Sequence, residues 1–164
     1  MEILIFSDSH GRVDTMRCAV AEHARARYLL FCGDGLRDFA QIADENRDKI
    51  CIAVRGNCDI YDPLEDTPYE RLLEIGGIKI FMLHGHSMGI KGGYGAACIE
   101  ARRAGADILL CGHTHLPYEH REAEGDAPIV IFNPGSIGKR EAEGYSYGVL
   151  TIQDRQFLLS HGKI

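Results

Sequence analysis

The 164-residue sequence contains no apolar run approaching the ~20 residues of a membrane span, so a membrane-spanning helix is not expected. It also lacks a basic excess. Lys plus Arg number 18 against 24 Asp plus Glu, a formal charge of −6, which argues against general binding to a nucleic-acid phosphate backbone. No two of the 6 cysteines form a CxxC, so the zinc-ribbon pattern is missing. Met1 and Glu2 lead straight into Ile3-Leu4-Ile5-Phe6, with neither a basic n-region nor a small-residue cleavage site. A reduced, cytoplasmic protein that needs no disulfide staples is the simplest expectation. There is no internal repeat, low-complexity tract or linker, and at about 150 residues per domain a single domain over residues 1–164 is expected. What the chain does have is a pool of potential metal ligands, 8 His and 6 Cys.

Short apolar runs recur, most ending in Gly plus a polar residue. They lie at residues 3–6, 28–32, 50–54, 78–83, 108–111 and 129–132, and their richness in Ile, Leu and Val predicts strands covered on both faces. Helical spacing fills the gaps, with faces Val13/Met16/Val20/Ala24, Leu36/Phe39/Ala40/Ala43 and Tyr94/Ala97/Cys98/Ala101. The alternation predicts an α/β fold with at least partly parallel pairing. Gly76-Gly77 predicts a hairpin between residues 69–75 and 78–83, which makes the sheet mixed. A second hairpin is expected over 145–161, turning near Gln153-Asp154-Arg155, and the charged stretch 119–126 reads as a solvated loop or exposed strand end.

Ligands of open α/β sheets bind outside the carboxyl ends of the strands. Those ends carry Asp8, His10, Asp34, Asn57, His84, His113 and His115, and 5 of the 8 histidines (with His86) fall in these motifs. Asp8/His10 and His113/His115 are i, i+2 pairs, which a strand's side-chain period would aim the same way. Neighbouring glycines at 33, 56, 85 and 112 allow tight turns and close crowding of ligands. Seven N and O donors are too many for one tetrahedral zinc. They suit two divalent ions that share a carboxylate and clamp an in-line displacement at phosphorus.

The ordered motifs D-S-H, G-D, G-N-C-D, H-G-H and G-H-T-H resemble those of the calcineurin-like metallophosphoesterase superfamily, and the short length and GNCD resemble its small prokaryotic phosphodiesterase branch (YfcE-type). Asn133-Pro134-Gly135-Ser136 also fits. The resemblance implies a four-layer α/β/β/α sandwich of two mixed sheets flanked by helices. It implies that Asp8, His10 and His115 hold one metal, that Asn57, His84 and His113 hold the second, and that Asp34 bridges. A metal-bridging hydroxide would attack phosphorus in line. Mn²⁺ is the first expectation for the ions, with Fe²⁺, Ni²⁺ or Zn²⁺ also compatible with the ligands. The catalytic candidates are Asn57, Cys58, Asp59 and His86. Cys58 stands where many relatives keep a His credited with transition-state stabilisation or leaving-group protonation. A thiol is a doubtful substitute, so phosphodiesters and activated aryl phosphates are expected to turn over better than unactivated alkyl monoesters. Two divalent ions less the charges of Asp8, Asp34 and a hydroxide leave about one positive charge, which suits a diester monoanion. His86 is expected as a proton donor or outer partner, and Asp59 as the residue that orients the Asn57 loop or simply makes a turn.

Two other readings compete. Gly85-His86-Ser87-Met88-Gly89 matches the G-x-S-x-G nucleophile elbow and would make Ser87 a serine-hydrolase nucleophile, but it leaves the Asp8, Asp34 and Asn57 motifs unexplained. A non-catalytic scaffold of the same fold, as in the retromer, would bind protein partners, yet here every ligand position is filled. The expected partner is therefore a small phosphodiester, with homo-oligomerisation left open. Cys32 and Cys111 are expected in the core, His23, His120 and His161 on the surface, Asp38 on a helix face and Asp62 in a turn. Arg12 and Arg55 divide between substrate contact and solvated surface, and the Gly-rich segment 85–95 between a phosphate cradle and a mobile loop.

Overall fold

The computed structural model describes residues 1–61, 63–64, 66–122, 128–139 and 144–164. Strands β1 (Glu2–Phe6), β2 (Tyr28–Phe31) and β3 (Ile50–Ala53) alternate with helices α1 (Val13–Glu22) and α2 (Leu36–Glu45). Then come β4 (Glu70–Ile75), β5 (Ile78–Leu83), helix α3 (Gly95–Arg103), β6 (Ile108–Leu110), β7 (Pro117–Glu122), β8 (Ile129–Pro134), β9 (Ser146–Gln153) and β10 (Gln156–Lys163). One sheet has the order β10-β9-β1-β2-β3 and the other β4-β5-β6-β8-β7. Both are mixed. β1, β2 and β3 are parallel, as are β5, β6 and β8, and the outer strands run antiparallel to them.

Three buried clusters define the layers. Leu4, Phe6, Leu29 and Phe31 pack under Met16, Ala19, Leu36, Phe39 and Ile42 of α1 and α2. The alternate residues Ile3, Ile5, Leu30 and Cys32 face the second sheet, against Ile80, Met82, Ile108, Leu110 and Phe132. Beyond that sheet, Phe81, Leu83, Leu109 and Cys111 pack under Ala97, Cys98 and Ala101 of α3. The order helix, sheet, sheet, helix is the expected sandwich. It explains why the central strands are apolar at every position, since period two puts successive residues in different clusters. Each large side chain so buried contributes about 1.5–3 kcal/mol. Cys32 and Cys111 are core residues, as expected.

Both hairpins form. Gly76 and Gly77 have φ of 60° and 79° and join the pair Ile75/Ile78. Asp154 and Arg155 have φ of 51° and 62° and join Gln153/Gln156. Two consecutive positive φ values give the turn whose twist matches the strands. The helix faces shift slightly from the expected ones: Ala24 lies exposed beyond α1, and Ile42 replaces Ala43 as the last core residue of α2. Of the charged stretch, residues 119–122 form the exposed edge strand β7, whose charges protect an open edge. Residues 123–126 lie outside the described residues, as does Asp62.

Candidate metal centre

The parallel strands of both sheets end on one side of the sandwich. There β1 delivers Asp8 and His10, β2 Asp34, β3 Asn57 and Cys58, β5 His84 and His86, and β6 His113 and His115. The i, i+2 pairs converge for a different reason from the one expected. Asp8, His10, Asp34, His113 and His115 have φ of 55°, 45°, 62°, 65° and 63°. They are left-handed residues in tight turns, not the extension of a strand. Such conformations are costly for residues other than Gly and persist where surrounding structure enforces them. Two glycines make room. A side chain at Gly56 would overlap the Asp34 carboxylate, and one at Gly112 would overlap Ser7 Oγ.

The donor atoms fall into overlapping groups. Asp8, His10 and His115 form one; Asp34, His84 and His113 form another; His10, Asp34 and Cys58 form a third, each with its atoms within 4.8 Å of one another. In the first, Asp8 Oδ1 lies 3.2 Å from His115 Nε2 and 3.7 Å from His10 Nε2. In the second, His84 Nε2 is 3.3 Å from Asp34 Oδ2, 3.2 Å from Asn57 Oδ1 and 3.2 Å from His113 Nδ1. His84 Nδ1 lies 2.7 Å from Cys32 O, a carbonyl that can only accept. Nδ1 therefore carries the proton and Nε2 is turned toward the convergence point, the outer-partner arrangement common for metal-binding imidazoles.

Electrostatics follow from burial and close charges. Burial works against ionisation of Asp34, but His84 and the Cys58 backbone N–H outweigh it and hold the carboxyl well below its usual range. Burial alone would lower His84, yet Asp34 and Asp8 raise it. His113 is lowered to about 4, first by burial and then by His84 and Lys91. Burial also lowers His10 and His86. Burial and the Asp34 charge push the Cys58 thiol up to about 11.

Outer residues lock these positions. Asp59 is buried and accepts backbone N–H bonds from Asp34, Gly35, Leu36 and Gly56 at 2.8, 2.8, 2.9 and 2.8 Å. It ties the Asp34 turn to the Gly56–Asn57 turn. Asp38 is more than a helix-face residue, because its Oδ2 accepts from Ser9 Oγ (2.6 Å) and Gly11 N (2.7 Å) and pins the His10 turn to α2. Asn133 donates to Gly112 O and Thr114 Oγ1, while Ser136 Oγ donates to Asp8 O. His161 and His23, expected on the surface, are half-buried: His161 Nε2 donates to Asn133 O and its ring stacks on Phe132, and His23 bonds Glu2 and Tyr147. His120 is exposed, as expected.

His86 stands beside the centre, its ring 5.5 Å from that of His84, with a buried Nδ1 that has no hydrogen-bond partner among the described residues. Cys58 is exposed, with its Sγ 3.2 Å from Asn57 Nδ2. Arg12 turns away onto Tyr145 and Gly138 O, while Arg55 lies over Tyr69. Ser87 is exposed on a short 3₁₀ turn followed by a second one, not on the strand–turn–helix of a nucleophile elbow. In the Gly-rich segment, the N–H groups of Met88, Gly89, Ile90, Gly92 and Gly93 bond carbonyls of the segment itself, which leaves few for a phosphate cradle.

A family model for the calcineurin-like phosphoesterase superfamily domain matches residues 1–155. The probable metallophosphoesterase YsnB of Bacillus subtilis is 33% identical over 156 residues, covering 94% of this chain and 86% of that protein. The phosphodiesterase YfcE of Escherichia coli K12 is 29% identical over 174 residues, covering 92% of this chain and 87% of its own. Among solved structures, a predicted phosphoesterase from Streptococcus pneumoniae TIGR4 superposes with a TM-score of 0.78 at 26% identity, over 98% of this chain and 87% of that one. With the strand-end turns, the two mixed sheets and the convergent histidines and carboxylates described above, these matches place the chain in the calcineurin-like phosphoesterase superfamily.

Proposed function

We propose that the protein is a dinuclear-metal phosphodiesterase acting on small-molecule diesters. The observation that carries this reading is the overlap of the donor groups at Asp34, which belongs with His84 and His113 on one side and with His10 on the other. Asp8, His10 and His115 would hold one ion, Asn57, His84 and His113 the other, and Asp34 would serve both. The residues fit cations on their own chemistry. Asp8 Oδ1 is buried without a hydrogen-bond partner among the described residues, while its Oδ2 is held by Ser7 Oγ and the His113 N–H. A carboxylate with one oxygen satisfied and one orphaned beside two imidazoles is costly unless a positive charge completes it. When bound, two divalent ions supply hydroxide for in-line attack near neutral pH and neutralise charge developing on the phosphoryl oxygens. Their identity is proposed as Mn²⁺ on ligand type and availability.

The chain's own residues fix the geometry. The Cys32 carbonyl sets the His84 ring, Asp59 holds the Asp34 and Gly56 backbones together, and Asp38 holds the His10 turn. Cys58 presents a thiol next to Asn57, and this is why the proposed preference runs to diesters and aryl leaving groups. All 6 cysteines are free thiols, in keeping with the proposed cytoplasmic location. Among the described residues, no helix is long and apolar enough to cross a membrane.

The test is hydrolysis of bis-p-nitrophenyl phosphate with added Mn²⁺. Release of p-nitrophenolate should require the metal and stop on chelation. Activity that survives chelation, together with fluorophosphonate labelling of Ser87, would overturn the reading. Tight metal binding without turnover of any diester would favour the scaffold alternative. Cys58→His should raise monoesterase activity toward an unactivated alkyl phosphate such as glycerol phosphate by about a hundredfold, the lower end of the range for a positioned acid. No gain would show that the thiol does not set the preference.

A further inference from the structure

A groove of about 400 Å³ opens directly from the centre. Its inner wall includes His10, Asp34 and Cys58, and its outer wall includes Arg37, Ile60 and Tyr61. That outer wall is unusual for a surface turn. Ile60 is 96% exposed and Tyr61 66% exposed, two large apolar side chains side by side in the segment that follows Asp59. The Arg37 guanidinium lies 5.5 Å from the Tyr61 ring centroid, a cation–π distance. Arg37 is the second residue of α2, just beyond the Asp34 turn, and Asp59, one residue before Ile60, is bonded to that same turn. Ring, guanidinium and candidate ligands are thus held by one local network.

We propose that this groove is the subsite for a flat aromatic group, aryl or nucleobase, carried on one ester oxygen of the phosphodiester. The inference rests on the metal-held phosphoester reading above and names the class of ester group that the site would select. A phosphorus held at the His10–Asp34 side of the centre carries its ester arm into the groove. The exposed part of the Tyr61 ring then offers a stacking face, and Ile60 an apolar edge. Stacking of this kind needs no base-specific hydrogen bond, because every aryl group and nucleobase has a π-face.

The experiment is calorimetric titration of the Mn²⁺-loaded protein with phenylphosphonate and with methylphosphonate, run beside the diester assay. Phenylphosphonate should bind about tenfold more tightly, equivalent to about 1.4 kcal/mol. Tyr61→Ala should bring the ratio of the two affinities to within about twofold, and Tyr61→Phe, which keeps the ring, should retain it. A thymidine monophosphate titration separates nucleobase from simple aryl recognition. Loss of its advantage in Tyr61→Ala supports the same subsite, and an unchanged advantage overturns the assignment for nucleobases. An unchanged phenyl-to-methyl ratio in Tyr61→Ala, or no ratio in the unmodified protein, overturns the proposal. So does loss of the ratio in Tyr118→Ala instead, since Tyr118 lines the separate groove beside Thr114 and Tyr94. Ring-selective binding without diester hydrolysis would sink the catalytic reading and leave the subsite standing; metal-dependent diester hydrolysis without ring-selective binding would sink the subsite and leave the catalytic reading standing.

Discussion

Asp34→Asn is expected to lower kcat/KM for bis-p-nitrophenyl phosphate by about a thousandfold or more, ~4 kcal/mol of transition-state stabilisation, while the fold survives. The substitution is nearly isosteric. Asp34 Oδ1 accepts the Cys58 N–H at 2.7 Å, and an amide oxygen can still do so. What changes is the other atom. Asp34 Oδ2 faces His84 Nε2 at 3.3 Å, and an amide nitrogen there would donate its proton to the imidazole lone pair that a metal would need. The variant thus loses a negative charge at the junction of the donor groups and also caps His84. Mass-spectrometric metal counting should show depletion, and thermal melting in chelator should match the unmodified protein. Full activity with two retained ions would remove Asp34 from the mechanism.

Asp59→Ala should instead act mainly on stability. Four backbone N–H groups, on Asp34, Gly35, Leu36 and Gly56, lose their acceptor at once. Buried donors left unpaired cost about 1–3 kcal/mol each, and water entering the gap would recover part of that. A net loss of about 3–5 kcal/mol is expected, or roughly 10 °C in Tm for a chain of this size. Asp59→Asn should be nearly as damaging, because its NH₂ would meet N–H groups where an oxygen now accepts. Urea and thermal melts of the metal-free proteins provide the check. A shift below about 2 °C would mean that the turns hold themselves and Asp59 is dispensable.

The strand ends and their chemistry were legible in the sequence because each motif follows an apolar run, and the two hairpins were legible because Gly76-Gly77 and Asp154-Arg155 sit between such runs. Other features depend on distant chain. Asp38 was read as a helix-face residue because its partners, Ser9 and Gly11, come from the turn after β1. His161 was read as a surface residue because only the pairing of β10 with β9 brings it over Phe132. Strand β7 is polar along its length and held by backbone pairing to β8, so it carries no hydrophobic signature. The left-handed backbone at Asp8, His10, Asp34, His113 and His115 was hidden for a further reason. Asp and His give less sign of positive φ than Gly does, and the turns are stabilised by contacts made across the two sheets.

Those sheets also set a mechanical condition. They share no strand, and the donor groups straddle them: Asp8 and His10 from β1 meet His115 from β6, and Asp34 from β2 meets His84 and His113 from β5 and β6. The spacing between carboxylate and imidazole is therefore gauged by how the inner faces interlock, with Ile5 and Leu30 on one side and Met82, Leu110 and Phe132 on the other. Sliding one sheet over its neighbour by a single strand spacing, ~4.8 Å, would part both groups together. Core volume far from any ligand thus acts as the spacer that keeps the two halves of the centre in register.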